Sequence, residues 1–175
     1  MSKGIILYKS KYGSTKKYAD WLTDATGFDC FETNAVNAAK AKQYEKVVLL
    51  GGIYASGISG LKFLKQVAPD LVNKKVAVFC VGASPYDKKQ LAQIKERLLK
   101  DALEAVPLFY GRGAWNEEAM TFIDRTLCNV LQRSLAKKDP STYEPWMAAL
   151  MEAKGQKSDW TDPSCLDPLI EYLQD

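Results

Sequence analysis

The feature of this sequence that most restricts its fold is the alternation of short apolar runs with segments of helical periodicity. Five runs, rich in β-branched or aromatic residues, end at Gly, Pro or polar residues, as buried strands do. They span residues 4–8, 28–32, 46–52, 75–82 and 106–111. Because the runs are almost continuously apolar, we expect strands that are covered on both faces.

Helical patterns connect these runs. Residues 16–26 carry an apolar stripe that ends before Gly27, and similar stripes occupy 59–67 and 88–103. For the connection 33–44, the pattern fits either a short helix or an irregular crossover. A repeated β-α-β pattern predicts an α/β fold, a doubly wound five-stranded parallel sheet with helices on both faces, because right-handed crossovers place each helix over the sheet.

The C-terminal third has a different pattern. Residues 116–135 show the longest helical periodicity, with Asn116 as the expected N-cap. Residues 136–162 hold two prolines and two tryptophans, and a last helix is expected over 164–173. For 175 residues we expect one domain, 1–175, with an irregular helical insertion at about 136–162 before the last helix. Whether that excursion is a lid, a partner surface or a structural cover stays open.

Composition excludes several classes of protein. Hydrophobic residues make up 47% and charged residues 26% of the chain, which is typical of a globular protein. No run approaches the ~18 apolar residues of a membrane span, and the N-terminal run is too short for a secretory signal, so we expect a cytoplasmic protein. Four cysteines lie far apart, and the chain has no histidine to complete a zinc site or a Cys-His pair. We therefore assign no metal site and no catalytic residue, and expect any chemistry to belong to a bound cofactor.

The loop after the first run combines hydroxyls, a glycine and lysines. Ser10, Gly13, Ser14 and Thr15 precede a helix, although the stretch matches neither the dinucleotide-binding nor the P-loop pattern. Hydroxyls and backbone N–H groups at a helix N-terminus suit a phosphate. Four lysines, at positions 9, 11, 16 and 17, add a positive field that a bound dianion would relieve. The alternative is a solvated basic loop whose lysines point outward.

The stretch IILYKSKYGSTKKYADWL resembles the phosphate loop of the flavodoxin family, in which a strand precedes a Ser/Thr-rich turn of the form [ST]-x-x-G-[ST]-T. YEKVVLLGGIYASGISGLKFL is similar to the second flavin loop of that family, and the resemblance covers about residues 3–113. It implies the strand order 2-1-3-4-5 and FMN as the cofactor.

The resemblance also implies the residues of the site. The first loop would bind the phosphate of FMN, and the loops after the third and fourth strands would hold its ring. Tyr54 has an alternative role as a packing residue of its loop, and Tyr86 is a weaker candidate for stacking on the ring. The implied cofactor-binding residues are Ser10, Tyr12, Gly13, Ser14, Thr15, Ile53, Tyr54, Ala55, Ser56, Gly57, Gly82, Ala83, Ser84 and Tyr86.

Charge and the C-terminal part set the chain apart from common flavodoxins, which are strongly acidic. This chain has a net charge of +3 and a pI near 8.5. Its tail, with Asp159 to Asp162 reading DWTD, resembles the flavodoxin-like protoporphyrinogen oxidase group, although the order of the residues differs from the TDW of that group. Five basic residues suit either scattered surface charge or contact with an acidic partner, a porphyrin carboxylate or a membrane surface. They are Arg112, Arg125, Arg133, Lys137 and Lys138.

Three hypotheses for function follow. The first is an FMN-binding flavodoxin-like redox protein that mediates electron transfer with a redox partner protein or a small-molecule electron acceptor. The second is an FMN-dependent oxidoreductase acting on a quinone or porphyrinogen. The third is a binding module of the same shape without flavin. No nucleic-acid partner is expected, and peripheral contact with a membrane stays open.

Overall fold

A parallel sheet runs through the centre of the molecule. The computed structural model describes residues 3–54 and 57–175. The strands of the sheet are β1 (Gly4–Lys9), β2 (Asp29–Glu32), β3 (Lys46–Tyr54), β4 (Gly57–Ile58), β5 (Lys75–Gly82) and β6 (Leu108–Arg112). Five of them lie in the order β2-β1-β3-β5-β6 and pair in parallel, while β4 pairs antiparallel with the end of β3. Counted among the parallel strands alone, the order is 2-1-3-4-5, which confirms the predicted α/β fold.

Helices cover both faces of this sheet. They are α1 (Ser14–Thr26), α2 (Ala38–Ala41), α3 (Leu61–Val67), α4 (Lys88–Leu98), α5 (Phe122–Leu135), α6 (Pro145–Glu152) and α7 (Asp167–Gln174). The connection that the sequence left open contains a 3-10 turn, Thr33–Ala35, followed by the short α2. The helix predicted to reach residue 103 ends at Leu98, because the backbone of Leu99 leaves the helical region with ψ 87°.

Alternate residues of the central strands enter two separate cores. Ile5 and Leu7 of β1 face the core beneath α3 and α4, whereas Ile6 faces the core beneath α1 and α7, and all three have 0% exposure. Period-2 alternation puts successive side chains on opposite faces, so a strand that is apolar at every position needs a cover on each side. Continuous apolarity of β1, β3 and β5 therefore accounts for the doubly covered sheet.

Tyr18 links three parts of the chain within one of these cores. This α1 residue has 0% exposure, and its hydroxyl donates to the carbonyl of Arg112 at 2.6 Å. The same hydroxyl accepts from the backbone N–H of Asp162 at 3.2 Å. Burial raises the pKa of the phenol above its usual value, so it stays protonated and keeps donating. α1, the end of β6 and the approach to α7 are thus joined through one side chain.

Most of the predicted 136–162 excursion belongs to a longer segment, residues 113–160, which begins and ends at one point. We call this longer segment the C-terminal excursion. Two short strands, β7 (Ala114–Asn116) and β8 (Lys157–Asp159), pair antiparallel, and the N–H of Trp160 donates to the carbonyl of Gly113 at 3.0 Å. The sequence contains no strand signal for either segment, and the prediction that Asn116 caps the long helix is wrong. Asn116 ends β7, and α5 begins at Phe122 with the Thr121 hydroxyl accepting from the N–H of Asp124.

We expect Tyr18→Phe to lower the free energy of unfolding by about 1–3 kcal/mol, because it removes the buried partner of the Arg112 carbonyl and the Asp162 N–H. Urea unfolding measures this loss. Tyr44→Phe is the matched control, since its hydroxyl bonds the Asp29 carboxylate at the surface, at 2.8 Å, and its loss should stay within about 0.5 kcal/mol. Equal losses in the two variants would contradict the role assigned to Tyr18.

Candidate functional site

The predicted site residues that the structure describes lie in or next to loops at one edge of the sheet. β1 and β3 pair as far as Lys9 and Gly51, and β3 and β5 pair as far as Gly52 and Val81. Because these neighbouring strands are parallel, the loops that follow them all start at the carboxyl edge. In an open α/β sheet, ligands bind in a crevice at this edge, next to the point where the order of the strands reverses.

The first loop leads directly into the N-terminus of α1. Gly13 precedes the helix with φ 99°, a left-handed conformation that strains any residue with a Cβ. Its N–H donates to the Ser10 hydroxyl at 3.1 Å, which closes the turn. Among the described residues, no side chain caps α1 and its first turn contains no acidic residue. The backbone N–H groups of that turn therefore have the partial positive charge that suits an anion.

The hydroxyls of this loop differ in exposure. Ser10 and Ser14 are half-buried, whereas Thr15 faces the interior with 4% exposure. The Tyr12 ring is 42% exposed beside them. A Cβ added to Gly113 would lie 2.9 Å from Val81 Cγ1 and 3.5 Å from the Ser14 hydroxyl oxygen, so the chain leaving β6 passes close to β5 and to this loop.

The lysines near this loop are neutralised more than the sequence indicates. Lys16 forms an ion pair with Asp20 at 2.6 Å, one helical turn away. Lys17 contacts the Asp159 carboxylate at 3.1 Å and the Thr161 hydroxyl at 2.8 Å, both from the end of the excursion. The positive field predicted from the four lysines is therefore weaker than the sequence indicates, since Lys16 and Lys17 have acidic partners.

Asp124 is the residue of this region that sequence reasoning missed. Its carboxylate, at the start of α5, accepts from the Lys11 ammonium at 2.5 Å and also from the Tyr12 hydroxyl. Those hydrogen bonds lower the pKa of the Asp124 carboxyl below its usual value. Its partners are 113 and 112 positions away along the chain. No local pattern could have revealed this contact, which joins α5 to the first loop.

The second loop approaches the first through Tyr54. The Lys11 ammonium lies 5.5 Å from the centre of the Tyr12 ring and 5.9 Å from the centre of the Tyr54 ring. Tyr54 is 37% exposed, and burial raises the pKa of its hydroxyl. Ile53 is half-buried and Gly57 has φ 151°. Ala55 and Ser56, also predicted to bind the cofactor, lie outside the described residues.

The loop after β5 is held by side chains of β6. The Tyr110 hydroxyl donates to the carbonyl of Ser84, and Arg112 Nε donates to the carbonyl of Ala83 at 2.9 Å. A Cβ on Gly82 would lie 2.9 Å from the Tyr110 hydroxyl oxygen, so only a glycine fits without a shift. Tyr86 is 63% exposed, and the centre of its ring lies 6.3 Å from that of Tyr110. The loop thus has a fixed backbone and an open aromatic face.

The end of the excursion packs against the same edge. The Arg112 guanidinium lies 3.8 Å from the centre of the Trp160 ring. Hydrogen bonds from Thr161, and after them the Lys17 ammonium, lower the pKa of the Asp159 carboxyl to about 2. Arg112 was a candidate for contact with an acidic partner, but its guanidinium instead donates to the carbonyl of Ala83 and stacks on the Trp160 ring.

Comparison with known proteins gives one match to a protein family. The flavodoxin domain matches residues 5–142, which is most of the chain. None of the curated protein sequences matches significantly.

Several solved structures are similar. Flavodoxin 2 from Bacillus cereus, in its oxidised form, has 24% identity over 63% of this chain and 84% of its own, with a TM-score of 0.45. The two-electron reduced flavodoxin of Megasphaera elsdenii has 17% identity over 61% and 84%, with a TM-score of 0.45. The Trp repressor binding protein from Bacillus subtilis has 16% identity over 63% and 85%, with a TM-score of 0.48.

We expect Asp159→Asn to lower the free energy of unfolding by about 0.5–1 kcal/mol at pH 7, a modest loss because the side chain is 56% exposed. A depressed pKa stabilises the fold above the unfolded value of about 3.9, and that advantage is lost as the pH falls toward the folded value. The difference between wild type and variant should therefore shrink between pH 4 and about pH 2. Urea titrations across this range measure it, and a difference that is independent of pH would contradict the assignment.

Proposed function

This chain belongs to the flavodoxin domain family, and we propose that it binds FMN at the carboxyl edge of its sheet and transfers electrons. The observation that carries the proposal is the N-terminus of α1, uncapped by any described side chain and preceded by Gly13 in a left-handed conformation. An uncapped helix N-terminus leaves backbone donors without partners, and a phosphate dianion satisfies them.

In this proposal the first loop binds the phosphate. The backbone N–H groups of Ser14 and Thr15 would donate to phosphate oxygens, and the hydroxyls of Ser10 and Ser14 would add further donors, while the Gly13 N–H keeps the Ser10 hydroxyl in place. Tyr12 borders the same space from the exposed side. Lys11 keeps its ion pair with Asp124, so most of the anion affinity comes from backbone groups, with long-range support from the lysines.

The other two loops hold the ring. Tyr54 and Tyr86 each offer an exposed aromatic face, and such faces pair with flat conjugated systems. Ile53 and Ala83 would supply apolar surface, and the backbone at Gly57, Gly82 and Ser84 would border the ring edge. FMN bound here would supply one- and two-electron transfer, and the role of the protein is to orient it and tune its environment.

Electron transfer fits the available chemistry better than acid–base catalysis does. The chain contains no histidine, the side chain that most often transfers protons near pH 7. A carrier needs only a bound cofactor whose edge is accessible to a partner. The net charge of +3 favours a redox partner protein with an acidic docking face, or an anionic small-molecule acceptor. The quinone or porphyrinogen oxidoreductase remains the alternative that the experiments below distinguish.

We expect Gly13→Ala to weaken FMN binding roughly 5- to 30-fold, because a Cβ at φ 99° costs about 1–2 kcal/mol and displaces the N–H groups that face the phosphate. Fluorescence quenching of FMN measures the dissociation constant. Riboflavin, which lacks the phosphate, should bind wild type and variant equally.

Gly155→Ala is the matched control. Gly155 also has a positive φ, 70°, and apart from the chain neighbours no atom of the described residues lies within 4 Å of an added Cβ at either position. The two variants should lose similar stability, while only Gly13→Ala loses FMN affinity. If purified wild type neither contains nor binds FMN, the proposed function fails.

We also expect the protein loaded with FMN to transfer electrons without an organic substrate. Protein loaded with FMN and reduced anaerobically should be reoxidised by a one-electron acceptor such as ferricyanide in proportion to its flavin content, because no step needs a protein acid or base. Absorbance in the flavin bands measures this. Reoxidation that occurs only with a quinone, and saturates as the quinone concentration rises, would support the oxidoreductase instead.

A further inference from the structure

α5 exposes the apolar side chains that a covering helix would bury. Helical periodicity predicts that its apolar stripe packs on the protein, but the structure turns this stripe toward solvent. We call it the α5 stripe. It comprises Phe122 at 82% exposure, Ile123 at 70%, Leu127 at 58%, Val130 at 57% and Leu131 at 42%.

Contacts on the opposite side of α5 fix this orientation. Gln132 and Leu135 are buried, with 1% and 4% exposure, and Gln132 Nε2 donates to the carbonyl of Leu150 in α6 at 3.0 Å. The Arg125 guanidinium donates to the carbonyls of Glu117 at 3.0 Å and Glu118 at 2.9 Å. These contacts, together with the ion pair between Asp124 and Lys11 of the first loop, hold this side of α5 against the protein. The α5 stripe consequently faces solvent.

The charge around the α5 stripe favours an anionic partner. Residues 120–138 contain four basic side chains and one acidic one, Asp124, which is paired with Lys11; Glu117, Glu118 and Asp139 flank this stretch. Arg133, Lys137 and Lys138 are exposed at the C-terminal end of the helix. A basic helix with an exposed apolar face is the pattern of segments that lie on membrane surfaces.

We propose that the α5 stripe docks on an anionic lipid surface, with the helix lying in the plane of the interface. The five side chains would enter the boundary between headgroups and acyl chains, and the three exposed basic residues would contact lipid phosphates. With 14 residues, α5 is about 21 Å long at 1.5 Å per residue, shorter than a hydrocarbon core of about 30 Å. Among the described residues, no helix is long and apolar enough to cross a bilayer, so surface docking is the mode that fits.

A second copy of the chain fits this surface less well. The α5 stripe has five side chains, far fewer than the roughly 20–30 residues per partner of a standard interface. A parallel pairing of two stripes would also bring Arg133, Lys137 and Lys138 of both copies together, and like charges oppose association. Lipid docking needs neither a complementary shape nor a complementary second set of side chains.

Docking would also orient the proposed cofactor site. Asp124, in the first turn of α5, contacts Lys11 and Tyr12 of the first loop, so the carboxyl edge of the sheet lies beside the docked helix. This inference goes beyond FMN binding and does not depend on it, because every residue that would enter the lipid belongs to the excursion.

The test is sedimentation with vesicles of phosphatidylcholine containing about 30 mol % phosphatidylglycerol, compared with pure phosphatidylcholine. Wild type should partition onto the anionic vesicles, and Ile123→Gln/Leu127→Gln should reduce the partition coefficient at least about tenfold. Val72→Gln, which removes a side chain with 78% exposure outside the α5 stripe, should leave it unchanged.

A second pair of variants tests the charges. Arg133→Gln/Lys137→Gln/Lys138→Gln should weaken partitioning roughly tenfold or more, whereas the same loss of charge on α4 and after it, in Lys89→Gln/Arg97→Gln/Lys100→Gln, should have a much smaller effect. All these positions are exposed, so the variants should fold, and circular dichroism checks this.

Three outcomes would overturn the proposal: no binding of wild type to anionic vesicles, binding that the α5 variants do not change, or a dimer in sedimentation velocity that the α5 variants disperse without any vesicle binding. Flavin content is measured on the same samples. Loss of FMN with retained vesicle binding would count against the proposed function and leave the docking surface intact.

Discussion

Burial of β1, β3 and β5 on both faces is the constraint on which the remaining structure depends. Ile5 and Ile6 are neighbours with 0% exposure, yet they belong to different cores. Such a strand is stable only between two layers of helices, and parallel strands reach their neighbours only through crossovers. Both requirements place the loops after β1, β3 and β5 together at the carboxyl edge. The position of the candidate site is therefore a consequence of how the core is covered.

The same constraint explains what the sequence reveals and what it hides. Strands in the centre were predictable because a run such as 46–52 contains four consecutive large apolar residues, 47–50, whatever lies on either side. β7 and β8 were not predictable, since AWN and KSD have no strand pattern and pair only because the excursion closes there. Periodicity also revealed that α5 has an apolar face. It could not reveal which face the helix packs inward, because that depends on Gln132 and its partner in α6.

The first loop shows the same difference between what neighbouring residues reveal and what depends on distant parts of the chain. The residue types of the first loop, a glycine among hydroxyls before a helix, could be recognised within eight positions of sequence. The net field there could not, because Lys11 and Lys17 meet Asp124 and Asp159, more than a hundred residues further along the chain. Counting lysines in the loop therefore overstated its positive charge. What remains for a ligand is mainly the set of backbone donors, which does not depend on side-chain partners.

The closure of the excursion at Gly113 and Trp160 has a consequence for how such a chain can evolve. One backbone hydrogen bond and the pairing of β7 with β8 bring the two ends of the C-terminal excursion together. The chain therefore leaves β6 and returns to α7 at the same place, whatever lies between these ends. Closing a longer or shorter segment changes the entropy only slowly with length. Natural variation can therefore lengthen, shorten or replace the segment that contains α5 and α6, and give the same redox scaffold a different surface for a different cellular environment, without any change to the central sheet.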